Sequence, residues 1–197
     1  MRQVWNAWPA PHDITASVVT VGVFDGFHRG HVALVARALD EARRRDLPAV
    51  LVTFEPHPLT VLAPDRAPLQ LLSVADRVGQ ALELGVDHVV VLPFSKDLAA
   101  QPAHGFVDDL VERLGVRSLV VGSNFRCGRG GEGDVAYLRN AGRRVGFEVE
   151  DVPLVHRGAR TCSSTEIRRS LAAGDLSSAF DLLGRTDPRL GHAVASG

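Results

Sequence analysis

Apolar runs and helical stripes alternate along this chain. Short runs rich in β-branched residues predict buried strands, because a strand covered on both faces of a sheet carries few polar positions. These runs fall at 18–23, 49–54, 88–92, 117–122 and about 147–152. Between them, apolar residues recur at intervals of three and four, as at Val32, Val35 and Leu39, which predicts amphipathic helices. The alternation predicts an α/β fold with a doubly wound parallel sheet.

Local signals mark the ends of several elements. Ser73 with Asp76 three residues later resembles a helix-capping pair, and Gly85 suits the end of the same helix. Residues 1–17 hold two Trp and two Pro without a clear period, so we expect an edge strand or an extended lead-in. Residues 59–72 are predicted to form a long loop, and loops of that length in compact domains are often functional.

Glycine-rich and polar stretches follow the predicted strands at their carboxyl ends. They lie at 22–31, 54–58, 122–134 and 161–168. Ligands of open parallel sheets bind beyond the carboxyl ends of the strands, at the point where the strand order reverses. We therefore expect these stretches to form one site.

The first of these stretches has the features of an anion site. Gly22, Gly26 and Gly30 allow a sharp turn and a close approach of the backbone to a ligand. His28 and His31 lie three residues apart where the next helix begins, so both imidazoles can face one phosphate beside free N–H groups. The alternative is a tight strand-to-helix turn that happens to carry two polar histidines.

A second anion site is predicted at the start of a later helix. The hydroxyls of Ser163, Ser164 and Thr165 can either cap this helix or bind phosphate oxygens. Arg168 lies one turn further on, where a guanidinium can clamp a polyphosphate, and this favours binding over capping alone.

Composition limits the classes of function. The 197 residues carry a net charge of −1 and are 45% hydrophobic, so we expect one domain over 1–185 and a short tail or linker over 186–197. No basic excess indicates a nucleic-acid partner, and no apolar run is long enough to span a membrane. Cys127 and Cys162 fit no metal spacing and no disulfide framework, which favours a cytoplasmic location. The oligomeric state is left open.

Two strings resemble motifs of one superfamily. Gly22-x-Phe24-Asp25-Gly26-x-His28-x-Gly30-His31 and Ser163-Ser164-Thr165-x-Ile167-Arg168 are similar to the nucleotide motifs of the nucleotidyltransferases. They are most similar to the FMN adenylyltransferase module of the prokaryotic bifunctional riboflavin kinase/FMN adenylyltransferases. The resemblance covers roughly Val18 to Gly191 and implies a Rossmann-like nucleotidyltransferase fold.

The resemblance also implies roles for individual residues. It makes His28, His31 and Arg168 catalytic. It places in substrate binding Gly22, Phe24, Asp25, Gly26, His57, Asn124, Arg126, Asp134, Ser163, Ser164 and Thr165. His57, in the string Thr53-Phe54-Glu55-Pro56-His57-Pro58, is expected to contact the FMN phosphate or ribityl chain. Asp25 either orders the turn, which we favour, or interacts with Mg²⁺; no metal ligands are assigned.

The implied reaction joins ATP and FMN to give FAD and pyrophosphate, with Mg²⁺. The string Leu183-Gly184-Arg185, followed by Gly191 and Val194, resembles the junction into the family's riboflavin kinase domain. Nothing in the chain resembles the kinase's own Gly-x-Pro-Thr-Ala-Asn segment, so we expect no riboflavin kinase activity. The chain is then either a stand-alone adenylyltransferase or an excised module.

Cys127 departs from the family pattern, which has an aromatic residue there, near the isoalloxazine ring. Either the loss of that ring weakens flavin stacking, or the Cys127 side chain points into the core, where a larger ring would overpack. Two further hypotheses therefore stay open: a modified flavin or another phosphorylated small molecule as acceptor, or a non-catalytic nucleotide- or flavin-binding paralogue. Intact His28, His31, Ser164, Thr165 and Arg168 argue against the paralogue.

Overall fold

A parallel six-stranded sheet forms the centre of the computed structural model, which describes residues 2–187. Its strands are β1 (Gln3–Trp5), β2 (Ser17–Val21), β3 (Ala49–Glu55), β4 (His88–Pro93), β5 (Val116–Gly122) and β6 (Glu148–Val152). The order across the sheet is β1-β4-β3-β2-β5-β6, and every neighbouring pair is parallel. The strand order therefore reverses between β2 and β5, which confirms the doubly wound α/β fold.

The helices cover both faces of this sheet. They are α1 (Arg29–Arg45), α2 (Pro58–Leu62), α3 (Val74–Leu84), α4 (Lys96–Ala100), α5 (Ala103–Leu114), α6 (Val135–Val145), α7 (Ser164–Ala172) and α8 (Leu176–Leu183). Helices α1 and α3 pack on one face of the sheet, while α5 and α6 pack on the other. A two-stranded antiparallel hairpin, β7 (His156–Arg157) and β8 (Arg160–Thr161), precedes α7.

The apolar core follows the period of the strands. Val19 and Val21 of β2 face the α5/α6 layer, whereas Val18 faces the α1/α3 layer. Because both faces are buried, β2 is apolar at almost every position, as the sequence pattern predicted. A third, smaller apolar cluster joins α7 and α8 to Leu71.

Most predicted elements are present, with shifted ends. β1 is the predicted edge strand. The predicted cap of α3 is also present: the Ser73 hydroxyl accepts a hydrogen bond from the Asp76 N–H, and Gly85 ends the helix in the left-handed region. Residues 59–72 were wrongly predicted to be loop throughout: α2 and a 3₁₀ turn at Pro64–Arg66 lie there. Proline at the first helical positions explains both, since its fixed φ suits a helix start. Helix α4 and the β7–β8 hairpin were not predicted.

Some residues of the predicted C-terminal tail lie outside the described part of the chain. Of the proposed tail 186–197 only 186–187 are described, and Gly191 and Val194 of the junction-like string lie outside the described residues. Within 2–187, no helix is long and apolar enough to cross a membrane.

Candidate active site

A cleft of about 400 Å³ opens at the carboxyl ends of β2 and β5, where the strand order reverses. All four polar stretches that the sequence singled out contribute to its walls, together with neighbouring residues such as Leu59, Pro68 and 152–155. The predicted site residues that line it are Gly22, Asp25, His28, His31, His57, Asn124, Ser163, Ser164, Thr165 and Arg168. The structure thus brings together side chains that are up to 146 positions apart in the chain (Gly22 to Arg168).

The two histidines form a stacked pair at the start of α1. The His28 Nδ1 accepts a hydrogen bond from the His31 backbone N–H at 3.3 Å and caps the helix. The ring centroids lie 3.6 Å apart, and the His31 ring also contacts the ring of Phe24. Because Nδ1 of His28 is an acceptor, the neutral ring carries its proton on Nε2, which leaves an N–H donor.

Both imidazoles are held in the neutral form. Burial, followed by the nearby Arg185 and Arg168 guanidiniums, lowers the pKa of His28 from 6.5 to about 4. Burial, His28 and Arg77 lower the pKa of His31 well below its ordinary value. At neutral pH the pair therefore offers hydrogen bonds rather than positive charge.

Asp25 orders the turn that precedes the histidines. Its side chain is 2% exposed, and its carboxylate accepts hydrogen bonds from the backbone N–H groups of Leu71 and Leu72 at 2.9 and 3.0 Å. The Arg168 guanidinium pairs with the same carboxylate, and the Ser164 hydroxyl donates to the Asp25 carbonyl at 2.6 Å. Asp25 therefore ties the turn, the 69–72 segment and α7 together, as the ordering interpretation predicts.

Helix α7 presents its first turn to the cleft. Ser163 caps this helix by accepting a hydrogen bond from the Glu166 N–H, so its hydroxyl plays the capping role that the sequence left as an alternative. Thr165 lines the cleft. Arg168 also donates to the Leu69 carbonyl at 2.6 Å, and burial lowers the pKa of its guanidinium against the opposing effect of Asp25.

A buried arginine that sequence reasoning missed joins the ends of β2 and β3. Arg77 of α3 is 1% exposed and donates to the carbonyls of Val23 and Phe54 at 2.9 and 3.1 Å. It also pairs with the Glu55 carboxylate. Two residues beyond Glu55, the His57 Nδ1 accepts from the Leu59 N–H and caps α2. Arg77 thus fixes the bases of the two turns that carry the cleft histidines.

Two residues of the first motif support the backbone instead of lining the cleft. Phe24 is fully buried and stacks on Phe27 with 5.5 Å between the ring centroids, so its side chain lies in the core and not in the cleft, where the sequence interpretation had placed it. Gly26 has φ +83°, and a Cβ there would lie 2.8 Å from the Leu71 side chain. Glycine suits this position because of its positive φ, since the short contact is to the far end of the flexible Leu71 side chain.

Two predicted site residues of the 122–134 stretch lie outside the cleft as well. Arg126 is turned to its own loop and donates to the Gly131 carbonyl. Asp134 caps α6 by accepting from the Tyr137 N–H at 2.8 Å. They flank a shallow pocket beside Asn124, separate from the histidine pair. Phe125, which was not among the predicted site residues, does line the cleft.

Cys127 does not line the cleft. It packs against the α5/α6 layer, exchanges both backbone hydrogen bonds with Gly133, and donates weakly from its Sγ to the Gly133 carbonyl. Burial, with Glu132 and Asp134 adding to it, raises the pKa of the thiol to about 12. Cys127 therefore packs against the core instead of lining the cleft, and the modified-acceptor hypothesis loses its support in the sequence.

The described residues offer few ligands for a metal. Among residues 2–187, no group of three or more His, Cys, Asp and Glu side chains is placed to hold an ion. Among the described residues that line the cleft, Asp25 carries the only carboxylate, and that group is already bonded to Leu71, Leu72 and Arg168. The donor set does not fit a protein-held Mg²⁺.

Comparisons with known proteins agree with these motifs. The family model for FAD synthetase matches residues 10–166. The bifunctional riboflavin kinase/FMN adenylyltransferase of Escherichia coli K12 is 40% identical over 195 residues, which cover 98% of this chain and 62% of the relative. The enzyme of the same description from Pseudomonas fluorescens is 41% identical over 85% of this chain and 54% of its own. The chain thus spans about three fifths of the length of the relatives that it matches.

Among solved structures, a Streptococcus pneumoniae protein described as a macrolide-efflux protein has the same fold. It superposes with a TM-score of 0.82 at 30% identity, over 94% of this chain and 62% of that one. Because the family model covers most of the chain, including the histidine pair and the first turn of α7, this chain belongs to the FAD synthetase family.

Proposed function

We propose that this chain is an FMN adenylyltransferase, which transfers AMP from ATP to FMN and releases pyrophosphate. The observation that carries the proposal is the meeting of two helix N-termini in one cleft, those of α1 with its neutral histidine pair and of α7 with its hydroxyl groups. Both ends present N–H groups and the positive pole of a helix to the same space. Such a site suits a polyphosphate.

The reaction needs positioning more than it needs a nucleophile from the protein. A phosphate oxygen of FMN attacks the α-phosphorus of ATP, the bond from that phosphorus to the bridging oxygen breaks, and its electron pair leaves with pyrophosphate. His28 donates from Nε2 to a phosphate oxygen whose negative charge grows in the transition state, and His31 lies stacked beside it. The free N–H groups of α7 hold the rest of the polyphosphate.

Another wall of the cleft suits the flavin. His57 lies there beside the apolar side chains of Leu59 and Pro68, and Phe125 lines the same cleft. A flat ring system gains affinity from aromatic and apolar contacts, while a donor such as His57 suits the ribityl chain or the phosphate. We assign this wall to FMN and the α1/α7 wall to ATP.

The expected Mg²⁺ has no ligand set of its own among the described residues. Mg²⁺ usually keeps several waters and binds to substrate phosphates through few protein groups. We therefore propose that Mg²⁺ enters with ATP, and we assign it no step. A cytoplasmic location and partners limited to small molecules complete the proposal.

The proposal is tested by pyrophosphate release with ATP and a panel of acceptors: FMN, riboflavin and unrelated sugar phosphates. We expect product with FMN, and loss of either histidine should raise the barrier by about 3 kcal/mol, roughly a hundredfold in turnover. His28→Ala and His31→Ala are compared with His104→Ala, an exposed residue of α5. Circular dichroism checks that each variant is folded.

Three outcomes would contradict the proposal. Product with another acceptor but not with FMN would revive the modified-acceptor hypothesis. ATP binding without any product would favour the non-catalytic paralogue. Near-normal turnover in both folded histidine variants would remove the pair from the mechanism.

A further inference from the structure

Arg185 follows α8 and reaches back to the turn that carries His28. Its guanidinium donates from Nη1 to the Phe27 carbonyl at 2.8 Å and from Nη2 to the Gly26 carbonyl at 2.9 Å. It also lies 3.4 Å from the buried carboxylate of Asp187. These two carbonyls belong to the residues just before His28. The planar guanidinium of one arginine therefore holds the backbone that leads into the capping histidine.

The path of the chain explains how Arg185 arrives there. Helix α8 ends at Gly184, which has φ +87° and lies so close to Arg29 that a Cβ would be 2.9 Å from its side chain. Arg29 is the first residue of α1 and donates to the Asp181 carbonyl of α8 at 2.7 Å. The C-terminal end of α8 is thus docked against the N-terminal end of α1, and Arg185 enters the turn from that side.

The turn itself needs to be held. Phe24 and Phe27 have φ of +53° and +44°, a left-handed conformation that is uncommon for residues other than glycine. Residues in sparsely populated conformations persist only where their surroundings enforce them, and they cluster at functional sites. Phe27 is one of these two residues, and Arg185 donates to its carbonyl at 2.8 Å.

We propose that Arg185 is a positioning residue of the adenylyl-transfer site: its fork to the Gly26 and Phe27 carbonyls sets the direction in which the His28 imidazole points. The proposal rests on the function proposed above. Arg77 holds the same turn at Val23 and Arg168 holds it at Asp25, so Arg185 supplies the support next to the histidine. The nearby guanidinium also contributes to the low pKa of His28.

The experiment compares Arg185→Met and Arg185→Lys with wild type in the full chain. For Arg185→Met we expect kcat to fall about 10- to 100-fold, as for a small misplacement of a catalytic group, with KM for ATP nearly unchanged. The NMR titration of His28 should move upward from about 4, because a nearby positive charge is gone. Arg185→Lys should keep the low titration but lose part of kcat, because an ammonium is not a planar fork.

Arg157→Met is the matched control, because Arg157 is exposed and bonds Asp181 of the same helix α8 without touching the turn. It should leave kcat and the His28 titration unchanged. A folded Arg185→Met protein with wild-type kcat would overturn the proposal. So would a loss of activity that tracks only the unfolded fraction in urea, with the His28 titration unmoved.

Two further results are also decisive. If Arg185→Met does not fold, wild-type kcat in Arg185→Lys overturns the proposal and a reduced kcat at full folding supports it. If the wild-type protein makes no FAD, the proposed function fails, while the His28 titrations of the same variants still show whether Arg185 sets the histidine's surroundings.

Discussion

His28 caps α1 and lines the cleft with one side chain, and its charge state decides whether it can do both. Capping requires an unprotonated Nδ1, because that nitrogen accepts the His31 N–H. Protonation would turn this acceptor into a donor facing another donor. The low pKa of His28 therefore protects the helix start, whereas the N–H on Nε2 is present in either charge state.

This burial makes stability depend on pH. The pKa of His28 is about 4 in the folded protein and 6.5 in its ordinary state. Between these pH values the unfolded chain binds more protons than the folded protein. The stability that the neutral His28 contributes is therefore fully present above pH 6.5 and is lost as pH falls through 4. Asn keeps a capping acceptor but does not titrate. Between pH 7 and 5 we expect wild type to lose about 2 kcal/mol more stability than His28→Asn.

Urea unfolding of both proteins at the two pH values measures this difference. His104→Asn, on the exposed side of α5, controls for the removal of a histidine in general. Equal losses in wild type and His28→Asn would show that His28 is not held neutral by the fold.

At the level of elements, the strands and the two turns that begin α1 and α7 were predictable because their signals are local. Period-two and period-3.6 patterns, glycines and capping residues act over a few positions, so β2, α1 and α7 could be placed from the sequence. Arg77 could not be, because its partners Val23 and Phe54 lie 54 and 23 positions away. The core positions of Phe24 and Cys127 could not be placed for the opposite reason: both stand in strings that resemble ligand-binding motifs, yet both pack against the core.

Arg77 also yields a test of how β2 and β3 are held together. Arg77→Met leaves two half-buried carbonyls and the Glu55 carboxylate without their donor, which we expect to cost about 3 kcal/mol of unfolding free energy. Arg77→Lys should recover part of this loss. Arg144→Met, an exposed position of α6, should cost little.

Chemical denaturation of the three variants gives these values directly. A loss below about 1 kcal/mol in Arg77→Met would place Arg77 among the ordinary surface arginines and contradict its role in joining the strand ends.

At the scale of the whole molecule, the walls assigned to ATP and FMN belong to one cleft, which residues of both the 57–68 and the 152–168 segments line. A product that carries both halves contacts both walls at once, so its second half binds at a high effective concentration. We therefore expect FAD to compete with both ATP and FMN. Initial rates with FAD present, at varied ATP and then varied FMN, should show a raised apparent KM for each substrate.

AMP and riboflavin are the half-molecule controls, and each should compete chiefly with the substrate that it resembles. Competition of FAD with only one substrate would contradict this expectation and mean that the two walls belong to separate binding sites.

The cap of α1 has a consequence for how this chain tolerates change. Asn, Asp, Ser and Thr are the side chains that best begin a helix, and histidine is not among them. Selection for thermal robustness alone would therefore replace His28, and the same pressure would replace the left-handed Phe27. Directed evolution of this protein towards heat resistance should therefore introduce substitutions at the start of α1 that lower turnover, unless turnover is selected in every round.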